Sequence, residues 1–246
     1  MSIKPIRQLK ADKMSVRVYN TSDEMGRAAA YDCAQAAIEL LMQKEEVNII
    51  FAPADSQADF RRHFFEQPGV DWTRMNAFIL IGFLGMPEDS PNSISAYARQ
   101  NIFSKAPFKN TFAPNSAAVD FQAECDRYAS LLEIYPIDMA CVGIGENGHV
   151  AGNEPWVADF NDPVSVKYFK LDEEHSGAQS APRHLLTVTM PFITDIGYKQ
   201  IVAPGSVKKE GIYRTMYDSV SEDCPSTVLR KSDCILYTDA QGASLL

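Results

Sequence analysis

No stretch of the 246-residue sequence approaches the roughly 20 consecutive apolar residues of a membrane-spanning helix. Basic residues are in deficit: 23 Lys and Arg against 32 Asp and Glu leave a formal charge of −9. That balance argues against nucleic acid as a partner, because a polyanion is held by a basic face. It does not exclude a small anionic ligand, which a few local donors can hold. The amino terminus carries Lys4, Arg7, Lys10 and Lys13 but lacks the apolar run of a signal peptide. Residues 1–14 are therefore expected to form a loose arm. Cysteine is scarce and scattered, at positions 33, 125, 141, 224 and 234, and forms no CxxC pair. An odd, dispersed set excludes a disulfide framework and a zinc site. It suits buried thiols in a reducing compartment, and the cytoplasm is the expected location. No Pro/Gly-rich linker, internal repeat or low-complexity segment divides the chain, so residues 1–246 are expected to form one domain.

What is present is alternation. Val16 to Tyr19, Val47 to Phe51, Ala77 to Ile81, Asp138 to Val142, Gln200 to Ala203 and Cys234 to Tyr237 are short apolar runs of the kind covered on both faces in a parallel sheet. Val164 to Leu171 and Leu185 to Thr189 are further extended segments. Between the runs lie helical patterns. Thr21 and Glu24 form a capping box, followed by Met25, Ala29, Cys33, Ala36 and Leu40 on one stripe. Gln57 to Phe65, a stretch around Tyr97, Asp120 to Leu132, and a segment carrying Ile212, Met216 and Val220 are also helical. Such alternation predicts an α/β fold: a Rossmann-like, doubly wound, mostly parallel sheet with helices on both faces. Ligands of such sheets sit beyond the carboxyl ends of strands, where strand order reverses.

Four loops leave predicted strands. Gly143 to Pro155 holds four glycines and concentrates Asn147, His149, Asn153 and Glu154. An imidazole beside a carboxylate can move protons near neutral pH; a polar, glycine-rich surface loop is the alternative. Ala54, Asp55, Ser56 and Gln57 stand between a strand and a helix, where backbone N–H groups suit a phosphate. Asp55 would place a carboxylate beside that phosphate, and Asp55 or Ser56 as a plain helix cap is the stronger expectation. Pro204 to Lys209 puts Lys208 in the first turn of a helix, where a cation opposes the dipole and an anionic ligand would account for it; a solvated lysine is the default reading. Phe78 to Pro87 turns at Gly82 and Gly85 without any ionisable side chain. His149 and Glu154 make two metal ligands at most, and His63, His175 and His184 are too scattered to complete a site. No metal and no cofactor is called for.

In order, the four loops resemble those of the glucosamine-6-phosphate deaminase (isomerase) family, related to the 6-phosphogluconolactonases. Gly145-Glu146-Asn147-Gly148-His149-Val150-Ala151-Gly152-Asn153-Glu154-Pro155 is close to the family's G-x-D-G-H-I-A-F-N-E-P. Gly85-Met86-Pro87, Leu186-Thr187-Val188 and Gly205-Ser206-Val207-Lys208 support it. The resemblance implies a sugar phosphate as ligand. It also implies ring-opening groups at Asn147, His149 and Glu154, and phosphate contacts from Ala54 to Gln57, Gly148 and Lys208. Family members are often multimeric, so a homo-oligomer is one implied state. Aligned on the family's M-D-E-Y-x-G-L-P, the proton-abstracting aspartate falls on Ile81 and the next glutamate on Gly82. The loop aspartate falls on Asn147, which cannot ionise. No arginine between Leu171 and Arg183 matches the one expected at the phosphate. Deamination is therefore expected to be impaired. A non-catalytic sugar-phosphate sensor and a lactonase-type hydrolase using His149 are the alternatives.

Overall fold

The computed structural model describes residues 3–171 and 184–246, so the segment in which the resemblance implies a phosphate arginine, with His175, lies outside the described residues. Along the chain the elements are β1 (Arg7–Ala11), β2 (Met14–Tyr19), α1 (Ser22–Leu41), β3 (Val47–Phe51), α2 (Ala58–Phe65), β4 (Met75–Ile79) and β5 (Ile81–Leu84). They continue with α3 (Ile94–Asn101), β6 (Asn110–Phe112), α4 (Phe121–Ile134), β7 (Met139–Val142), β8 (Val166–Lys170) and β9 (His184–Val188). The last are α5 (Met190–Asp195), β10 (Tyr198–Val202), α6 (Lys209–Tyr217) and β11 (Cys234–Asp239).

Eight strands form one sheet in the order β1-β2-β11-β10-β7-β3-β4-β6, with every pairing parallel except β1 on β2. The central strands are buried on both faces, which is why they read as continuous apolar runs. Alternate residues of each strand feed two cores: Ile50, Phe78, Ala140 and Ile201 on one face, Ile49, Ala77, Met139 and Val202 on the other. Helices α4, α5 and α6 cover the first face; α1, α2 and α3 cover the second. After β3 the chain moves outward through β4 and β6, then returns to place β7 on the other side of β3. The strand order thus reverses between β3 and β7, and the crevice at their carboxyl ends is the place for a ligand.

Four sequence expectations are corrected. Residues 7–11 are not a loose arm: they pair with β2 from Arg7↔Val18 to Ala11↔Met14 as an edge strand with an alternately exposed face. The 77–81 strand stops early. Leu80 N–H donates to the Phe51 carbonyl while the Leu80 carbonyl accepts from Val188 N–H, so the chain changes sheet at this residue. Ile81 thereby starts β5 of a separate antiparallel sheet, β5-β9-β8. On α1 the buried stripe ends at Ala37 and Leu41, one position beyond Ala36 and Leu40, which are only half-buried. Val220 lies beyond α6, which ends at Tyr217. The capping expectation at Thr21 holds, since its Oγ1 accepts from Glu24 N–H at 3.1 Å. All five cysteines are buried and free. Among the described residues no helix is long and apolar enough to cross a membrane, and no cluster of three or more His, Cys, Asp or Glu could hold a metal.

Candidate active site

Loops 52–57 and 143–155 leave the adjacent strands β3 and β7, and the 203–208 turn leaves β10 beside β7. Three of the four loops singled out by sequence therefore meet at one edge of the sheet. The fourth crosses into β5, which reaches the same loop through β9: Ile81 pairs with Thr187, and Thr187 Oγ1 accepts from Gly152 N–H at 2.9 Å.

The 143–155 loop is held open by its own backbone. Gly145 N–H donates to the His149 carbonyl at 2.8 Å, and Gly148, at φ +89°, accepts at its carbonyl from Ser226 N–H at 2.9 Å. Buried Asn153 anchors the far end by donating Nδ2 to the carbonyls of Val150 and Val188. The His149 ring lies over Gly145, where any Cβ would overlap it. A side chain at 145 is excluded for that reason.

Within this frame the three polar groups bond to one another. His149 Nδ1 lies 2.8 Å from Asn147 Oδ1, which also accepts from His149 N–H at 3.0 Å. Asn147 Nδ2 donates to Glu154 Oε2 at 2.8 Å, and Glu154 Oε1 is 3.2 Å from His149 Nδ1. An amide oxygen can only accept, so Nδ1 carries the proton and Nε2 keeps its lone pair. Burial is the main cause that holds the His149 imidazole below its ordinary proton affinity; Glu154 opposes it, the Lys208 ammonium adds to it and Glu146 opposes it. The ring is therefore mostly neutral at neutral pH. Lys208 ends a 3-10 turn that leads into α6, and burial lowers its own proton affinity while Glu146 supports the charged form.

At the 52–57 loop the expected capping is overturned. Ala54 and Gln57 are the cap positions, and neither the 3-10 turn Asp55–Gln57 nor α2 has a side-chain cap. The Asp55 carboxylate instead accepts from the Tyr97 hydroxyl of α3 at 2.7 Å. Buried Arg61, one turn into α2, donates to the Ala54 carbonyl at 2.8 Å and to the Tyr97 oxygen at 2.6 Å. Buried Gln57 ties the loop to β10 through the Val202 carbonyl at 2.8 Å; Ser56 is half-buried. Sequence reasoning missed Tyr97 and Arg61 as groups of this loop. The spacing of Arg61 from the loop was visible, whereas the 42 residues between Asp55 and Tyr97 carry no local signal.

At β5, half-buried Ile81 packs against both cores. A Cβ on Gly82 would lie 2.5 Å from Pro114 Cβ, so the backbone as folded has no room there for a larger residue. Neither position presents an ionisable group.

A sequence model described as glucosamine-6-phosphate isomerases/6-phosphogluconolactonase matches residues 20–237. The chain belongs to this family. It is 29% identical to the glucosamine-6-phosphate deaminase of Bacillus cereus (strain B4264), over 94% of this chain and 89% of that protein. With the corresponding enzyme of Bacillus thuringiensis (strain Al Hakam) it shares 28% identity at the same coverage. The fold of this family member is that of a monomeric glucosamine-6-phosphate deaminase: TM-score 0.83, 24% identity, 94% of this chain and 99% of the other covered. It is also that of the 6-phosphogluconolactonase from Thermotoga maritima: TM-score 0.77, 17% identity, 92% and 99% covered.

Proposed function

We propose that this family member binds a hexose 6-phosphate and opens its ring, while deamination at C2 is impaired. The observation that carries this reading is the bonded His149–Asn147–Glu154 group at the crevice where strand order reverses. The Ala54–Gln57 loop, Gly148 and Lys208 supply the phosphate end. The Asp55 carboxylate accepts from the Tyr97 hydroxyl, which holds it toward α3. His149 Nε2 is the base for the anomeric hydroxyl proton: as that proton leaves O1, the C1–O5 bond breaks and the proton passes to O5. Glu154 balances the imidazolium formed on the way. Deamination further needs a base at C2, and Ile81, aligned with the family's aspartate, cannot accept a proton. A positioned base contributes about 10²–10⁴-fold, so its loss leaves a slow reaction.

The test is thermal denaturation with glucosamine 6-phosphate, together with release of fructose 6-phosphate. A ligand that prefers the folded state raises the midpoint. A dose-dependent rise, lost in Lys208→Ala, with turnover at least 100-fold below a competent deaminase is expected. No rise would remove the binding reading, and turnover at an ordinary enzymatic rate would remove the impairment.

Hydrolysis of 6-phosphogluconolactone is the second reading, favoured by the free lone pair of a mostly neutral His149, which could activate water. Hydrolysis of that lactone abolished by His149→Gln would establish it in place of the first.

A further inference from the structure

A second concavity lies outside the crevice, between α2 and the turn after α3. This cleft, about 400 Å³ in volume, is lined by Ala58, Arg61, Arg62, Phe65, Glu66, Asn101 and Lys105. Arg61, Arg62 and Lys105 put three cations on its wall against one carboxylate, Glu66. The two outer guanidinium and ammonium groups differ in their commitments. Arg62 is matched by Asp23 and Asp59, each at 2.8 Å. Lys105 is exposed and forms no ion pair among the described residues.

Arg61 is the unusual member. It is only 4% exposed, yet no carboxylate pairs with it among the described residues. Its acceptors are the carbonyls of Ala54 and Ala52 and the phenol of Tyr97, at 2.8, 3.4 and 2.6 Å. Asp55 is reached only through that phenol. The Tyr97 ring, 5.5 Å from the guanidinium carbon, attracts the charge without neutralising it, and a buried cation without a counter-ion is costly. Nη1 is committed to two carbonyls, whereas Nε makes no hydrogen bond among the described residues. Arg61, the ammonium of Lys105 and the ring of Phe65 thus line one cleft. A guanidinium suits a phosphate through its donor fork and an ammonium as a point charge.

We propose that this cleft is a binding site for a phosphate monoester, a group of charge about −1.5 to −2 at neutral pH, whose organic portion rests on Phe65. The Arg61 that would face the ligand also clamps the Ala52 and Ala54 carbonyls, so occupancy acts on the 52–57 loop. That last consequence, unlike the site itself, rests on the sugar-phosphate reading of the loop.

The probe is phenyl phosphate, with inorganic phosphate for comparison, followed by backbone and arginine Nε–H resonances of the whole chain. In Lys208→Ala protein, phenyl phosphate is expected to shift the Arg61 Nε–H and Phe65 signals and to bind more tightly than inorganic phosphate. Lys105→Glu, at an exposed position, is expected to weaken it at least tenfold with the fold unchanged. Shifts confined to residues 54–57 and 206–208, or equal affinity in Lys105→Glu, would overturn the site. In the unaltered chain, saturating phenyl phosphate should change hexose 6-phosphate affinity severalfold, an effect lost in Lys105→Glu. An unchanged affinity would overturn the coupling alone.

Discussion

Asn147 stands between His149 and Glu154 with its amide oriented both ways, Oδ1 accepting from the imidazole at 2.8 Å and Nδ2 donating to the carboxylate at 2.8 Å. An aspartate there would face Glu154 oxygen to oxygen, with two carboxylates competing for one proton. The amide leaves Glu154 as the carboxylate in contact with the neutral ring. Asn147→Asp is accordingly expected to raise the His149 proton affinity and to make the ring and the carboxylates titrate together. Following the His149 ring resonances against pH checks this. An unmoved midpoint would show that the amide does not set the protonation of the ring.

The same burial has a consequence for stability. The His149 affinity is lowered in the folded chain, mainly by desolvation, so the unfolded chain binds the proton more readily. The stabilisation is complete above the ordinary histidine value of about 6.5 and is lost as pH falls through the folded value. The melting midpoint should decline across that window, and the decline should be shallower in His149→Gln. Parallel midpoint curves for the two proteins would contradict it.

Ile81 opens β5 opposite Thr187, whose hydroxyl holds Gly152 of the histidine loop. If the missing base at this position limits deamination, Ile81→Asp should raise fructose 6-phosphate formation by about 10²-fold or more. Its expected cost is about 1–3 kcal/mol, from placing a carboxylate at a half-buried apolar position. A folded Ile81→Asp protein no faster than its parent would locate the deficit elsewhere.

Tyr97 restrains the Asp55 carboxylate through its hydroxyl. In Tyr97→Phe that carboxylate is released beside the proposed phosphate position. Hexose 6-phosphate affinity should fall by about tenfold, the scale of one hydrogen bond to a charged group, and Asp55→Asn in the same background should restore it. Calorimetric titration of the three proteins separates these outcomes.

Tyr128, fully buried on α4, donates its hydroxyl to the Ile79 carbonyl at 2.7 Å and accepts from Ile79 N–H at 3.0 Å. It closes the backbone at the end of β4, just before the chain changes sheet. Tyr128→Phe leaves both groups unpaired away from water and should cost about 1–3 kcal/mol in urea denaturation. A loss below about 0.5 kcal/mol would mean that they find other partners.

Much of this protein was determined by the sequence alone, because much of it is periodic or local. Short apolar runs such as Val47 to Phe51, alternating with helical patterns, read as strands covered on both sides, so the doubly wound sheet and its helix layers follow from spacing. The histidine loop is also local: Asn147, His149 and Glu154 lie within eight residues, and their glycines dictate the turn that brings them together. Tertiary structure alone decided the rest. That Asp55 turns toward Tyr97, that Arg61 sits buried with no carboxylate paired to it among the described residues, and that Pro114 closes the space above Gly82 depend on how separate layers pack. The break at Leu80 belongs with them. Its apolar neighbours continue the strand pattern without interruption, and only hydrogen bonds to Phe51 in one sheet and Val188 in the other end β4 there. Periodicity records which face a residue buries, whereas a bond between distant elements is made only once those faces have met.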